Sequence, residues 1–159
     1  MNKKDLIKEI KKKNEYSSIP DSEVEKILDE FTKEDQTEKE KFKTGREMLM
    51  KLFSGTMSNK LLSPNVLDKK SEDEVLKKHL STRERFEHYE EIYSRILNSL
   101  NLEKDKKGKR ISVIDLGAGI NGLSYKKFPE EFEVNYVGVE IVGRLVGLMN
   151  EYFRKNNLQ

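Results

Sequence analysis

The chain has 159 residues, enough for one domain or for a small domain and part of another. Charged residues make up 38% and the hydrophobic set 35%, so any core is economical and much of the surface is lysine and glutamate. A formal net charge of +2 is too balanced to establish nucleic-acid binding. The absence of cysteine excludes disulfides, thiolate metal sites and cysteine nucleophiles, and no apolar run approaches the length of a membrane span. The N-terminal stretch MNKKDLIKEIKKKNEY has no apolar signal core, so the expectation is a soluble cytoplasmic protein with no membrane partner and no metal.

Residues 5–14 predict a short helix with Leu6, Ile7 and Ile10 on one side, closed by the polar break at Ser17-Ser18-Ile19-Pro20-Asp21. Asp21 or Ser22 is the expected N-cap of a second helix, in which Val24, Ile27, Leu28 and Phe31 recur at helical spacing. A third helical pattern covers about Thr37 to Phe53, with Phe42, Met48, Leu49, Leu52 and Phe53 on one face. The lysine runs at 11–13, 39–43 and 106–110 read as solvated surface unless the fold gathers them. Residues 54–68 form a punctuated link, and Ser71-Glu-Asp-Glu74 has the pattern of a capping box opening a helix near 72. Phe86, Tyr89, Ile92, Tyr93, Ile96 and Leu97 then mark a helical stripe to about Leu100. The polar segment Asn101 to Arg110 follows, and the expected organisation is a helical region over 1–104 and an α/β region over 105–159.

The α/β region is organised around Arg110 to Glu140. An apolar run from Ile111 to Leu116 breaks into Gly117-Ala-Gly119-Ile-Asn-Gly122, and a second run from Val134 to Val139 ends on Glu140. This reads as strand, glycine turn, short helix and second strand tipped with an acid. Glycines let a backbone approach a nucleotide-like ligand closely, and the acid, 21 residues past Gly119, is placed to bind ribose hydroxyls. A dinucleotide would set its pyrophosphate on the turn, but Asp115 stands two residues before the first glycine, where a carboxylate repels a pyrophosphate and suits an ammonium group. Past Glu140, Ile141, Leu145, Leu148, Met149 and Tyr152, with Val142, Val146 and Phe153, give a broad apolar helix face, on which Gly143 and Gly147 would permit close packing against strands.

The pattern at Asp115-Leu-Gly-Ala-Gly119 resembles motif I of S-adenosylmethionine-dependent methyltransferases. Together with a second stretch, His79-Leu-Ser81-Thr82-Arg83-Glu84-Arg85, the chain resembles the small-subunit (16S) ribosomal RNA methyltransferases of the aminoglycoside-resistance type, which methylate guanine at N7. That family carries a His-x-Ser-Thr-x-Glu-Arg segment before its motif I, and Asp115 to Leu123 is similar to its Asp-hydrophobic-x-x-Gly-hydrophobic-Asn-Pro-Leu. The two stretches occur in the family's order, about thirty residues apart. The resemblance implies S-adenosyl-L-methionine as cofactor, with His79, Leu80 and Ser81 lining its pocket and Arg85 pairing with its carboxylate. It also implies that the backbone at Gly117 and Gly119 lies against the cofactor, that Glu140 accepts from the ribose, and that the helical extension docks on the small ribosomal subunit. Gly122 stands where the family usually has proline, Glu140 where aspartate is common, and an aromatic expected near Met57 is missing.

From Asp115 onward there are 45 residues, room for one βαβ unit and a helix. A parallel sheet needs both faces covered and normally more strands, so the expected fold class is α/β, a helical N-terminal domain followed by the first βαβ part of an incomplete Rossmann-like domain. On this expectation the chain is a truncated or split enzyme, inactive alone, whose missing strands come from further sequence or from a second chain. Because N7 of guanine carries a lone pair and no proton, no catalytic acid or base is nominated; alignment carries the rate. Two other readings are a non-catalytic RNA-binding or ribosome-docking fragment and a nicotinamide-dependent oxidoreductase fragment, against which Asp115 argues.

Overall fold

The computed structural model describes residues 2–53, 65–100 and 109–158. Three helices come first: α1 (Lys3–Lys11), α2 (Asp21–Phe31) and α3 (Glu38–Phe53). Asn2 caps α1 by accepting from Asp5 N at 2.9 Å, and Leu6, Ile7 and Ile10 are buried, as the spacing predicts. The cap of α2 differs from expectation. Pro20 occupies the position, without a side-chain cap, and its carbonyl accepts from Glu23 N and Val24 N. The fixed φ of proline sets the entry one residue early, leaving Asp21 in the first turn, where its charge favours the positive end of the helix. In α3, Gly45 and Leu49 are the buried residues, whereas Leu52 is 58% exposed. A Cβ on Gly45 would stand 2.9 Å from Leu28 Cδ2 and 3.1 Å from Ile10 Cδ1, so this glycine sets the closest approach of the three helices. A stripe gives a helix a direction of burial; how far its partners extend along it is a tertiary matter.

The four short helices that follow are α4 (Val66–Lys69), α5 (Glu72–Leu76), α6 (Leu80–Arg85) and α7 (Tyr89–Ser99), with a 3-10 turn at Phe86–His88. The capping box at α5 is present in full: Ser71 Oγ accepts from Glu74 N, and Glu74 Oε2 accepts from Ser71 N. From α7, Tyr89, Tyr93 and Leu97 are buried, while Ile96 of the predicted stripe is exposed. The expected linker at 101–110 lies for the most part outside the described residues, as does the position near Met57.

Strands β1 (Lys109–Leu116) and β2 (Phe132–Val139) pair in parallel, with Val113 opposite Tyr136 and Asp115 opposite Gly138. Between them runs a 3-10 helix, Asn121–Lys127, and α8 (Gly143–Lys155) follows β2. Among the described residues the fold is therefore helix-rich with a small two-stranded parallel sheet, and no helix is long and apolar enough to cross a membrane. One apolar core joins α1, α2 and α3 through Leu6, Ile10, Val24, Leu28 and Leu49. A second joins α4, α5 and α7 to the 3-10 helix and α8 through Val75, Leu76, Tyr89, Tyr93, Ile120, Leu123, Leu145 and Tyr152. One face of the sheet, with Val134 and Tyr136, is buried; the opposite face leaves Ile114 and Leu116 68% and 77% exposed, beside exposed Val137 and Val139.

Gly143 and Gly147 do not pack against the strands: an added Cβ would meet nothing within 4 Å at Gly147 and only Ser18 O, at 3.6 Å, at Gly143. The close approach belongs instead to Gly122, where a Cβ would lie 3.0 Å from Met149 Sδ and 3.1 Å from Phe153 Cε2. The apolar face of α8 otherwise follows the prediction, with Leu145, Leu148, Met149 and Tyr152 buried.

Candidate functional site

At the end of β1 the chain reverses through Gly117 (φ 70°) and Gly119 (φ 55°), both in the left-handed region that favours glycine. The turn is tied to the end of β2. Gly117 N and Ala118 N both donate to Val139 O, at 2.9 and 3.0 Å, and Gly119 N donates to Glu140 Oε2 at 2.7 Å. The amides that would cradle a pyrophosphate are thus already engaged, and the turn presents carboxylates rather than an anion nest. Glu140 does more than the sequence indicated, because its other oxygen, Oε1, accepts from Val142 N at 2.8 Å and so fastens the start of the following helix to the turn. Each carboxylate oxygen can take a second hydrogen bond, which leaves it free to accept from a ligand as well.

Asp115 is half-buried beneath this turn. Its Oδ2 accepts from Asn121 Nδ2 at 2.7 Å and from Tyr136 OH at 2.5 Å. Asn121 Oδ1 in turn accepts from Tyr89 OH at 2.8 Å. Below it, Ser124 Oγ donates to Asn121 O at 2.6 Å and makes a 2.5 Å hydrogen bond with Tyr93 OH. Since the serine proton points to the carbonyl, Tyr93 is the donor of that pair. Burial raises all three tyrosine hydroxyls above their ordinary range, Tyr93 to about 12, so they remain protonated donors at neutral pH. Sequence reasoning missed this chain of donors. The one available signal was Tyr136, which shares a sheet face with Asp115 only in the observed register.

The upstream stretch lies against the turn. His79 is 6% exposed and N-terminal to α6, and a Cβ on Gly119 would stand 3.7 Å from its Cε1. Its Nδ1 is hydrogen bonded with Ser81 Oγ at 3.0 Å, while Nε2 is buried with no partner. Arg85 Nε donates to Ser81 O at 3.0 Å, and its guanidinium carbon lies 6.0 Å from the Tyr89 ring centre. Among the described residues the Arg85 guanidinium makes no ion pair, so it remains available to an anion. Leu80 is half-exposed. Two ion pairs, Lys126–Glu72 at 2.9 Å and Lys127–Asp73 at 3.4 Å, bridge α5 and the 3-10 helix at the edge of the core that Val75 and Leu76 share with Leu123. The lysine run at 11–13, by contrast, is neutralised locally by Lys12–Glu9, Lys13–Glu15 and Lys11–Asp21.

Burial lowers the His79 imidazole below its ordinary value of 6.5; the Glu140 charge opposes this and the Arg85 charge adds to it. The unfolded chain then takes up a proton near pH 6.5 that the folded chain resists, so this contribution to stability is intact above that pH and is lost as the pH falls through it. The urea midpoint is expected to drop between pH 7 and pH 5.5, and to drop less in His79→Gln. Equal slopes in the two proteins, measured by fluorescence or circular dichroism, would remove His79 as the cause.

No protein family profile and no curated protein matches the sequence. Solved structures do. The chain superposes on the crystal structure of an rRNA methylase from Escherichia coli with a TM-score of 0.77 at 19% identity, over 99% of this chain and 62% of that one. It superposes on the 16S rRNA methylase RmtB with a TM-score of 0.78 at 19% identity, over 100% of this chain and 62% of that one. At this identity the likeness is one of fold, and the chain spans less than two-thirds of the length of either protein: its structural neighbours are rRNA methylases, and it has the fold of about three-fifths of one.

Proposed function

We propose that the chain holds S-adenosyl-L-methionine between His79–Arg85 and the Asp115–Glu140 turn, as the donor side of a methyltransferase acting on small-subunit ribosomal RNA at guanine N7. The observation that carries this reading is the convergence of an arginine with no ion pair among the described residues and two carboxylates on a glycine turn whose amides are closed to phosphate. Those groups fit the cofactor. Arg85 suits the carboxylate of its methionine part, Asp115 the ammonium, Glu140 the ribose hydroxyls, and the buried, unpartnered His79 Nε2 suits a polar atom between them. Gly117 and Gly119 let the backbone lie against it. When bound, the cofactor supplies an electrophilic methyl group. The chain's own residues bind and orient it; no proton need be removed from N7, so none of them is assigned acid–base work. The target guanine must be exposed or flipped from folded RNA to be reached.

We read β1, the turn, β2 and α8 as the opening of a Rossmann-like domain, and residues 1–104 as the region that docks on the ribosomal subunit. The bare apolar face of the sheet is where further strands and helices would pack, from sequence beyond residue 159 or from a second chain. The lysine-rich helical half and the two-stranded extent of the sheet motivate a second reading, in which residues 1–159 dock on ribosomal RNA without catalysing transfer. Calorimetry tests the first reading: S-adenosylmethionine is expected to bind and NADH to give no heat. Binding of NADH in preference to S-adenosylmethionine would overturn it, while salt-sensitive sedimentation with the small subunit and no cofactor binding would leave only the second reading.

A further inference from the structure

We propose that Tyr136 and Asn121, the latter oriented by Tyr89, are positioning residues that hold Asp115 by one carboxylate oxygen so that the other is presented to the ammonium group of an amino-acid ligand. This rests on the proposed function above and assigns roles that no motif supplies.

The hydrogen bonds on the Asp115 carboxylate divide unevenly. Both donors to Asp115, the Asn121 amide and the Tyr136 hydroxyl, go to Oδ2, at 2.7 and 2.5 Å. Oδ1 makes no hydrogen bond among the described residues. A carboxylate fixed by two donors on one oxygen cannot rotate freely about its last bond, because rotation would break both; the second oxygen is thereby aimed. The donors come from different elements. Tyr136 stands on β2, on the same sheet face as Asp115 and diagonal to it across the ladder. Asn121 opens the 3-10 helix that follows the turn.

The orientation of the Asn121 amide is itself determined. Its oxygen accepts from Tyr89 OH at 2.8 Å and its nitrogen donates to Asp115. Flipping the amide would set its oxygen against a carboxylate oxygen, leaving two acceptors without a proton between them. Tyr89 is 2% exposed and belongs to α7, the helix that continues from the His79–Arg85 stretch, and the guanidinium of Arg85 lies 6.0 Å from its ring centre. The side chain that sets Asn121 thus starts α7, one 3-10 turn beyond the carboxylate-binding arginine at the end of α6. One hydrogen-bonded chain, Tyr89 to Asn121 to Asp115, fixes the spacing between an anion-seeking group and a cation-seeking one, which is what an α-amino acid moiety requires.

The arrangement predicts an effect that depends on the ligand's ammonium group rather than on its nucleoside. In the full chain, Tyr136→Phe is expected to weaken S-adenosylmethionine binding about tenfold, since one of two charge-assisted bonds on the carboxylate is lost. It should leave binding of 5′-methylthioadenosine, which lacks the amino-acid portion, unchanged. Tyr125→Phe serves as the control, because that hydroxyl donates to the Val134 carbonyl at 2.5 Å, remote from Asp115, and should move neither affinity. The proposal is overturned if Tyr136→Phe weakens both ligands equally, which marks a structural role, or weakens neither. If the unaltered chain binds neither ligand, the proposed function fails and the positioning role falls with it; if it binds both and Tyr136→Phe is silent, only the positioning role fails.

Discussion

Tyr93→Ala is expected to cost about 3–5 kcal/mol of stability, the range for truncating a large buried aromatic, and to move the urea midpoint further than any substitution on the exposed faces of α1 or α3. Tyr93 is 7% exposed, and its ring stacks on Phe128 with centroids 3.8 Å apart and an interplanar angle of 10°. It also packs at 5.6 Å against Tyr89. The ring is therefore an apolar link between α7 and the segment that follows the glycine turn. Tyr93→Phe separates packing from hydrogen bonding. Ser124 Oγ would still donate to Asn121 O, so the buried serine is not stranded, and the expected cost falls to about 1 kcal/mol. A loss for Tyr93→Ala no larger than that for Tyr93→Phe would mean that α7 and the turn are not joined through this ring.

The second large effect is expected on ligand binding with little effect on folding. Arg85→Ala should weaken S-adenosylmethionine binding roughly 10- to 100-fold, corresponding to about 1.5–3 kcal/mol for hydrogen bonds to a charged group. The unfolding free energy should stay within about 0.5 kcal/mol of that of the unaltered chain, as for an exposed residue with no ion pair among the described residues. Arg85→Lys should recover only part of the affinity, because an ammonium restores the charge but not the two parallel bonds of a planar fork. Calorimetry of the three proteins, with denaturation alongside, checks both halves. An Arg85→Ala protein that binds as before would remove the arginine from the site.

Several features of this arrangement were legible in the sequence because each is a local signal. The capping box at Ser71 needs only four residues, and it is present. The run from Ile111 to Leu116, the glycines and the run from Val134 to Val139 announce strand, turn and strand, and the two strands do pair. The stripe through Tyr89, Tyr93 and Leu97 likewise gives the buried face of α7. What the sequence withheld is whatever depends on two elements meeting. A stripe names a face but not its partner, so nothing indicated that α5 and α7 share a core with α8 rather than with α1–α3. Glycine spacing likewise says that close approach is possible without saying where: Gly122, not Gly143 or Gly147, lies close between α8 and β2, and Gly45 sets the approach of α1, α2 and α3. The tyrosines around Asp115 were invisible for the same reason: a hydroxyl that finishes a hydrogen-bonded chain looks, in one dimension, like any member of an apolar stripe.

Whether His79–Arg85 and the glycine turn form one site is tested most directly by titrating the isotope-labelled chain with S-adenosylmethionine while following backbone amides by NMR. Ser81 and Arg85 are expected to shift together with Gly117 and Gly119, all saturating with a single dissociation constant. Shifts confined to one of the two stretches, or none at millimolar ligand, would contradict a single site.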